Sequence, residues 1–323
     1  MQSEEIPETG EEKLYTNFKT RKESLDTDTT ETREDTHTKI AETENKEEQQ
    51  YLDLIRTIDQ HGRTEMSRNG LVRSIFGWTQ RFSLKDGQLP ILTTKKVFWS
   101  SCWKELCWFI KGSTNVYDLQ AQGVHIWDHD WLASGGPVSG NLGPIYGHQW
   151  RHFNSDSQPQ CDQLATVIEQ LKKARDPNQP YSRRIILSSW NPCQLPKMVL
   201  PPCHILCQFY VSQNRYLSCS LYQRSGDVGL GIPFNILSYA FLTHLLAHHC
   251  QLEATEFIHF IGDAHIYETH LNDLRKQTLR KPHVFPRIRF SCPPREDIEK
   301  YDIDDIEWIT PYQHEAFIKL QFA

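Results

Sequence analysis

The fold is decided by residues 200–225, LPPCHILCQFYVSQNRYLSCSLYQRS. Over residues 204–212 apolar side chains occupy alternate positions, a period of two that predicts a strand with one buried face. A second run of the same kind, residues 216–225, follows a polar three-residue turn. We therefore predict an antiparallel hairpin, which would bring Cys203 at the start of one strand close to Arg224 at the end of the other.

Helical spacing occurs at three places. Residues 101–112 and 164–171 each place apolar side chains at i, i+3, i+4 and i+7, and Asp162 is a candidate N-cap for the second helix. Residues 233–250 begin with a proline and are apolar nearly all round, which predicts a deeply buried helix with Asn235 in its first turn. Two stretches rich in Gly, Ser, Pro and Gln predict surface loops, residues 129–141 and 154–161.

The N-terminal segment differs in composition from the rest of the chain. Residues 1–49 contain fifteen Asp and Glu against seven Lys and Arg, so they carry about eight negative charges in a chain of net charge −6. With almost no aromatic residues, this segment cannot bury enough apolar surface to offset its ordering entropy. We predict a disordered acidic tail over residues 1–48 and a single folded domain over residues 49–323.

The cysteines and the apolar pattern indicate the compartment. Nine cysteines occur without a close CxxC pair, which is typical of a reducing compartment rather than of a disulfide framework or zinc ribbon. No apolar run reaches the roughly 18 residues of a membrane span, and the N-terminus lacks the pattern of a signal peptide. We expect a cytoplasmic protein, with a nuclear location also compatible, and no membrane partner. The near-neutral folded part has no basic surface that predicts nucleic-acid binding, and messenger RNA binding has no signature here.

Cys203 is the candidate nucleophile. A cysteine thiolate can add to an electron-poor double bond, and a neighbouring arginine lowers the pKa of the thiol because it favours the charged form. Two prolines precede Cys203 and fix its approach, and the hairpin predicts that Arg224 lies beside it. The alternative is a small buried apolar side chain, which is the commoner role of a cytosolic cysteine.

Polar motifs around this cysteine predict a site for a phosphorylated base. Arg224 with Ser225, and the adjacent pair Arg183 and Arg184, can each hold a phosphate by charge-assisted hydrogen bonds. The side-chain amide of Asn235 offers an acceptor and two donors, which match the N3–H and O4 of uracil, whereas an aspartate there would suit cytosine. Solvated surface arginines and a structural asparagine are the alternatives.

Eight runs of sequence carry a resemblance to a known family. They are LTTKKVFW (92–99), WFIKGSTN (108–115), LGPIYG (142–147), RRII (183–186), LPPCH (200–204), YQRS (222–225), LGIPFN (230–235) and GDAHIY (262–267). In this order they resemble the thymidylate synthase family, and the resemblance extends over nearly all of residues 50–323.

The resemblance implies reductive methylation of dUMP to dTMP. The co-substrate 5,10-methylenetetrahydrofolate would give both the carbon and the hydride and leave as dihydrofolate. Cys203 would add to C6 of the uracil and make C5 nucleophilic. Glu105 would handle protons, and Tyr146 and His204 would belong to its supporting hydrogen-bond network, with Asp227 as a further catalytic position.

The resemblance also implies two sets of binding residues and no metal. The expected dUMP residues are Arg68, Arg183, Arg184, Gln223, Arg224, Ser225, Asn235, His265 and Tyr267. The expected folate residues are Lys95, Trp127, Asp227, Gly231, Phe234 and Ala323. Within the first set, Asn235 would contact the uracil, and His265 with Tyr267 would contact the 3′-hydroxyl of the deoxyribose.

The expected architecture is an α+β fold. The resemblance implies a single domain with a large mixed β-sheet packed by helices and a sheet face that forms a homodimer interface. Isologous contact of that kind lets one subunit complete the site of the other. Arg183 and Arg184 would be the residues donated across the interface.

Two segments depart from the family pattern. The phosphate loop is altered over residues 67–74, where Arg68 aligns with the family's phosphate arginine after a one-residue deletion. The C-terminal lid, residues 312–319 with four residues beyond, is shortened. Since lid closure excludes water from the reactive intermediate, a shorter lid could admit it. The runner-up hypothesis is therefore a pyrimidine hydroxymethylase of the same fold.

Three further interpretations compete with these. One is an inactive homologue that binds nucleotide or a protein through the acidic tail, against which Cys203, Glu105 and Asn235 argue. Another is a Cys-His hydrolase, which is disfavoured because His204 would point to the opposite face of its strand. A third concerns the pair His244 and His248, four residues apart as in metal sites; without a carboxylate partner, core or interface histidines are the better interpretation.

Overall fold

A six-stranded mixed sheet organises the fold. The computed structural model describes residues 45–154, 159–180 and 182–321. The strands are β1 Arg63–Ser67, β2 Gly70–Ser83, β3 Ile186–Ser188, β4 His204–Ser212, β5 Tyr216–Asp227 and β6 Glu253–Tyr267, with β7 Ile288–Phe290 and β8 Ile306–Trp308 as a separate pair. The large sheet has the order β1-β2-β6-β5-β4-β3, and its neighbours are antiparallel except for β5 and β6, which are parallel. The predicted mixed sheet and α+β class are confirmed.

Helices cover this sheet. They are α1 Lys46–His61, α2 Trp99–Ile110, α3 Val116–Gln120, α4 Asp128–Ala133, α5 Tyr146–His152, α6 Gln163–Lys173, α7 Gly231–His249 and α8 Leu271–Gln277. The predicted α2, α6 and α7 are confirmed, and the carboxylate of Asp162 caps α6 by accepting from the Ala165 backbone N–H at 2.8 Å. Among the described residues no helix is both long and apolar enough to cross a membrane.

Two details of the helix prediction were wrong. Helix α7 begins two residues earlier than predicted, so Asn235 lies in its second turn rather than its first. The stretch 129–141 was predicted as a loop, but α4 occupies its first part. A helix of six residues is too short to show the apolar repeat on which the prediction depended.

The predicted hairpin is confirmed. Strand β4 pairs with β5 in antiparallel register, and the turn between them places Gln213 and Asn214 at φ 51° and 54°, the left-handed region that tight hairpin turns require. Beyond the last regular pair, the backbone N–H of Arg224 donates to the Cys203 carbonyl at 2.9 Å. A bulge next to His204 shifts the register at this end of the strand.

The two faces of the sheet differ in exposure. Alternate residues such as Phe209, Leu221 and Phe257 are at most 1% exposed, and helix α7 packs against strands β5 and β6. The intervening positions carry large side chains that remain accessible, with Tyr222 43% and Phe260 40% exposed and paired across β5 and β6. In the described chain, the outer face of the sheet is therefore an exposed apolar surface.

Helix α1 begins before the predicted domain boundary. The Asn45 side chain accepts from the Glu48 backbone N–H at 3.1 Å and caps the helix. The predicted tail lies outside the described residues as far as residue 44. Its last four residues, 45–48, belong to α1 and its cap. Among them, Glu48 is fully buried rather than solvated.

The carboxyl group of Glu48 connects α1 to the chain that precedes α2. It accepts from the backbone N–H groups of Thr93 and Thr94 at 2.9 and 2.8 Å, and from both threonine hydroxyls. Burial raises the pKa of Glu48, and these hydrogen bonds oppose that rise. The Thr93 carbonyl in turn accepts from the Glu315 backbone N–H at 2.7 Å. Thr93 therefore connects Glu48 to the C-terminal segment.

The C-terminal segment lies against the chain before α2. The Tyr312 hydroxyl donates to the Leu92 carbonyl at 2.7 Å, and the Phe317 ring meets the Phe98 ring edge-on at 5.2 Å between centroids. Farther along, the Gln321 carbonyl is 2.6 Å from Nε2 of His270. The effect of the shortened lid on water entry stays a prediction.

Replacing Glu48 by Ala should destabilise the domain. Two buried backbone N–H groups and two hydroxyls would lose their acceptor, which predicts a loss of about 3 kcal/mol or more in the free energy of unfolding. Urea unfolding measures this loss. The matched control is Glu65→Ala, which removes an exposed carboxylate from β1 and should change stability by less than about 0.5 kcal/mol. Equal effects of the two substitutions would contradict the structural role of Glu48.

Candidate active site

A cleft of about 450 Å³ opens between the end of β5, the start of α7 and helices α2, α4 and α5. Fifteen of the predicted site residues line it. They are Cys203, Glu105, Tyr146, His204, Asp227, Arg68, Gln223, Arg224, Ser225, Asn235, His265, Tyr267, Trp127, Gly231 and Phe234. The structure thus brings together residues that lie up to about 200 positions apart in the sequence.

Cys203 lies in the wall of this cleft, just before β4. Its sulfur is 3.6 Å from Nη2 of Arg224, as the hairpin predicted. The Arg224 guanidinium also donates to the carbonyls of Pro201 and Pro202 at 2.9 and 2.8 Å. The arginine therefore fixes the backbone that carries the thiol, and its charge lies beside the sulfur.

The pKa of the Cys203 thiol is raised from its ordinary value. Burial is the largest cause, the Arg224 charge lowers the pKa in opposition, and Asp130 adds to the rise. The predicted direction of the arginine effect is confirmed, but the prediction omitted the larger effect of burial. The thiol is therefore harder to ionise in this resting cleft than a solvent-exposed cysteine.

Tyr146 supports the backbone at the nucleophile. Its buried hydroxyl oxygen accepts from the backbone N–H of Cys203 at 2.7 Å and, more weakly, from that of His204 at 3.4 Å. Burial raises the pKa of this phenol well above its ordinary value, so it stays protonated. Since both contacts use the oxygen as acceptor, the phenolic O–H remains able to donate.

Glu105, on α2, is the ionisable carboxyl group of the cleft wall. Its Oε1 accepts from the indole N–H of Trp127 at 2.7 Å. Burial raises the pKa of Glu105 to about 7, and the hydrogen bond from Trp127 opposes this rise. A carboxyl group with this pKa can both donate and accept a proton near neutral pH.

A network of hydrogen-bonded polar side chains connects the cleft lining to His259, a buried residue of β6. The amide nitrogen of Gln223 donates to the Ser225 carbonyl at 2.9 Å and to Oδ1 of Asn235 at 2.8 Å, and its oxygen is 2.8 Å from Nε2 of His259. His204 forms a further hydrogen bond with Asn235, and burial lowers the pKa of His204 to about 4. Both amides are therefore held in place by neutral neighbours.

His204 does not point away from the cleft. The hydrolase hypothesis is disfavoured on the expectation that the side chains of residues 203 and 204 point to opposite faces of a strand. In the structure both side chains line the cleft. The alternation fails here because Cys203 precedes β4 and a bulge lies just after His204. The His204 ring packs against Tyr146 at 5.0 Å and contacts Asn235. These contacts place it in the network of the amides.

Part of the cleft lining is apolar and aromatic. Ile126, Trp127, Phe109 and Phe234 line it, and Asp227 holds the loop before α7 by accepting from the Gly229 backbone N–H at 2.7 Å. Flat apolar walls with one carboxylate at the edge fit a heteroaromatic ring that carries hydrogen-bond donors.

The rim is formed by Arg68, His265 and Tyr267. Arg68 lies in the two-residue turn that joins β1 to β2, because Ser67 pairs directly with Gly70. The altered segment 67–74 thus consists of a tight hairpin turn and the first residues of β2. On the neighbouring strand β6, Nδ1 of His265 is 2.9 Å from the Asp263 carboxylate, which orients the ring.

Three of the predicted residues do not line the cleft. Arg183 and Arg184 are exposed and precede β3, an edge strand of the sheet. Lys95 is buried, and its ammonium group donates to the Gly229 carbonyl, so it supports the loop before α7 instead of facing a ligand. Ala323 lies outside the described residues.

The cleft also contains residues that the sequence did not predict. Asn69, Phe109, His129 and Asp130 also line it. His129 and Asp130 were assigned to a loop because α4 is short, whereas Phe109 lies within one of the matching runs and could have been found there. His259 gave no signal at all, since it occupies an ordinary inward position of β6.

The pair His244 and His248 lies among core and aromatic contacts. Nε2 of His244 is 2.9 Å from the Gln88 carbonyl, and the His248 ring stacks on Phe290 at 4.8 Å. The interpretation of these residues as packing histidines is confirmed.

The cleft is that of an enzyme that acts covalently on an anionic heterocyclic substrate. It combines a thiol beside an arginine, a carboxyl group with a pKa near 7 and two oriented amides. Comparison with known proteins specifies which one. The family model described as thymidylate synthase matches residues 49–323, and the chain belongs to this family. The family prediction is therefore confirmed.

Individual relatives agree with this assignment. The chain is 46% identical to the thymidylate synthase of equine herpesvirus 2 over 292 residues, which is 85% of this chain and 98% of that protein. It is 46% identical to the Homo sapiens thymidylate synthase, over 85% of this chain and 90% of the relative. A probable thymidylate synthase of Schizosaccharomyces pombe is 46% identical over 84% of this chain, which spans only 47% of that longer protein.

Replacing Trp127 by Phe should raise the pKa of Glu105. The indole N–H stabilises the ionised carboxylate, so its loss shifts the ionisation from about 7 to a higher value. The pH–rate limit assigned to Glu105 should move to higher pH, whether this group acts as acid or base. Trp131→Phe is the control, because that indole donates to the Pro137 carbonyl instead. An unshifted limit in the Trp127 variant would contradict the assignment.

Proposed function

We propose that the chain is a thymidylate synthase that converts dUMP to dTMP, with 5,10-methylenetetrahydrofolate as donor of the carbon and the hydride. The observation that carries the proposal is the shared cleft in which Cys203, Glu105 and Asn235 face a common space. Family membership and 46% identity to thymidylate synthases over most of the chain support the same reaction.

The proposed role of Cys203 is addition to C6 of the uracil. Its sulfur lies beside Arg224, whose charge offsets part of the cost of forming a thiolate in a buried place. The same guanidinium, with Ser225 and Arg68, would bind the phosphate and hold the base against the sulfur. Holding both partners in one geometry makes the addition effectively intramolecular, which removes much of its entropic barrier.

Glu105 and Tyr146 are proposed to move protons around the ring. Addition at C6 places negative charge on the ring and its O4, and the carboxyl group of Glu105, with a pKa near 7, can supply a proton there. Removal of the C5 proton later requires a base, and the carboxylate that the first step leaves on Glu105 can supply it. The phenol of Tyr146, which stays protonated, would relay that proton by accepting it as its own O–H proton is given up. His204 stays neutral and holds Asn235.

The folate is proposed to stack on the aromatic wall. The thymidylate synthase family uses methylenetetrahydrofolate as its co-substrate, which supplies a one-carbon unit and a hydride. Trp127, Phe234 and Gly231 would contact its ring, and Asp227 would accept a hydrogen bond from it. The aromatic wall also keeps water away from C5, which favours hydride transfer over hydroxymethylation.

We also propose that two chains form a symmetric dimer through the outer sheet face. The exposed Tyr222 and Phe260 form an apolar surface there, and monomers rarely expose such a surface without a partner. Arg183 and Arg184 are exposed, precede the edge strand β3 and lie outside the cleft of their own chain. A two-fold contact would let them reach the phosphate in the other subunit.

Product analysis tests the reaction. With dUMP tritiated at C5 and methylenetetrahydrofolate, the protein should release tritium and form dTMP and dihydrofolate in equal amounts. A hydroxymethylase would instead leave tetrahydrofolate and a hydroxymethyl pyrimidine. Cys203→Ala should reduce turnover by at least about 10³-fold, since the nucleophile is lost. The control Cys193→Ala removes an exposed cysteine elsewhere and should leave the rate unchanged. Substantial turnover by the Cys203 variant would exclude covalent catalysis through this residue.

Hybrid dimers test the shared site. A Cys203→Ser chain and a chain with Arg183→Ala and Arg184→Ala should each be nearly inactive. After subunit exchange in equal amounts, half of the dimers are hybrids with one complete site, so activity should recover to about a quarter of wild type. If exchange is shown by mass spectrometry and no activity returns, the arginines do not serve the partner.

A further inference from the structure

We infer that His259 is a positioning residue that acts through Gln223 to fix the orientation of the Asn235 amide, and so makes the cleft select a base with the hydrogen-bonding edge of uracil. The inference rests on the proposed function, in which Asn235 contacts the base. His259 lies on β6 behind the cleft, is fully buried and does not line it. Its effect on the substrate would therefore be indirect.

A backbone carbonyl sets the orientation of the Gln223 amide. The Ser225 oxygen can only accept a hydrogen bond, so the Gln223 side-chain atom 2.9 Å away must be the amide nitrogen. The amide oxygen of Gln223 then faces Nε2 of His259 at 2.8 Å. Because that oxygen can only accept, Nε2 of His259 must carry the ring proton.

The same orientation is passed on to Asn235. The second N–H of the Gln223 amide donates to Oδ1 of Asn235 at 2.8 Å. If the Asn235 amide turned over, two N–H groups would face each other and a buried hydrogen bond would be lost. Oδ1 of Asn235 is therefore fixed beside Gln223, with a second lone pair left to accept from the base, and its nitrogen remains as the donor to the base.

The far side of His259 is also fixed. Gln80 on β2 is 1% exposed, and its Nε2 is 3.5 Å from Nδ1 of His259. Since the proton is on Nε2, Nδ1 is an acceptor, and the Gln80 amide must present its nitrogen to it. Burial lowers the pKa of His259 to about 3. The ring therefore stays neutral, with the same nitrogen protonated, throughout the neutral pH range.

A fixed Asn235 amide distinguishes two pyrimidines. Uracil presents a donor at N3 and an acceptor at O4, whereas cytosine presents an acceptor at N3 and a donor at its amino group. An asparagine that is free to turn can match either base. An asparagine held by Gln223 and His259 matches uracil alone, so a residue that never touches the base contributes to the preference for dUMP over dCMP.

Two substitutions of His259 test this inference. His259→Phe keeps a planar ring but leaves the Gln223 oxygen without its donor, while His259→Gln places an amide N–H close to the position of Nε2. Isothermal calorimetry with dUMP and with dCMP gives the ratio of dissociation constants. This ratio should fall by about 10- to 100-fold in the Phe variant and be largely restored in the Gln variant.

Gln80→Leu is the second variant and covers the case in which His259→Phe does not fold. It removes the group that faces Nδ1 of His259, and it should reduce the preference for dUMP in the same direction by about 3- to 10-fold. Equal weakening of dUMP and dCMP binding in the folded variants would show a merely structural role and overturn the inference.

Wild-type behaviour separates this test from that of the proposed function. Wild-type protein that binds no dUMP and forms no covalent adduct with 5-fluoro-dUMP and methylenetetrahydrofolate would contradict the proposed function itself. Wild-type protein that forms the adduct, together with variants that keep the full preference for dUMP, would overturn the role of His259 alone.

Discussion

The backbone N–H of Arg224 donates to the Cys203 carbonyl at 2.9 Å, and the cleft depends on this contact. It extends the β4–β5 hairpin past its bulge and puts the sulfur beside the guanidinium. Because side chains alternate along a strand, the neighbouring Gln223 then turns inward, where it is buried against His259. One backbone pairing thereby positions a nucleophile, a cation and an amide.

Burial, more than local charge, sets the ionisation of the site. It raises the pKa of the Cys203 thiol despite the nearby arginine, raises that of Glu105 to about 7 and lowers that of His204 to about 4. Burial therefore keeps His204 neutral and disfavours the charged forms of Cys203 and Glu105, while the guanidinium of Arg224 stays charged. Such a site stabilises charge as it develops during the reaction, because its polar groups are already oriented and water need not reorganise around them.

The periodicity of apolar residues predicted the regular elements that are long enough to show a period. The hairpin and helices α2, α6 and α7 follow from apolar periodicity, and the contact between Cys203 and Arg224 follows from the hairpin register. Helix α4 is too short for a period, which hid Asp130. Glu48 looked like one more solvated carboxylate of an acidic segment, because nothing nearby in sequence shows the threonines that bury it. Lys95 belonged to a matching run, but the direction of its amine depends on tertiary packing.

The indole that donates to Glu105 gives the chain an optical reporter of its own. Trp127 is 6% exposed, its N–H touches the ionisable carboxyl group and its ring forms part of the wall on which a flat ligand would stack. Indole emission responds to neighbouring charge, to stacking and to contact with water. The fluorescence of this one side chain, separated from that of the other eight tryptophans by its substitution, thus reports both protonation and occupancy of the cleft without any added label.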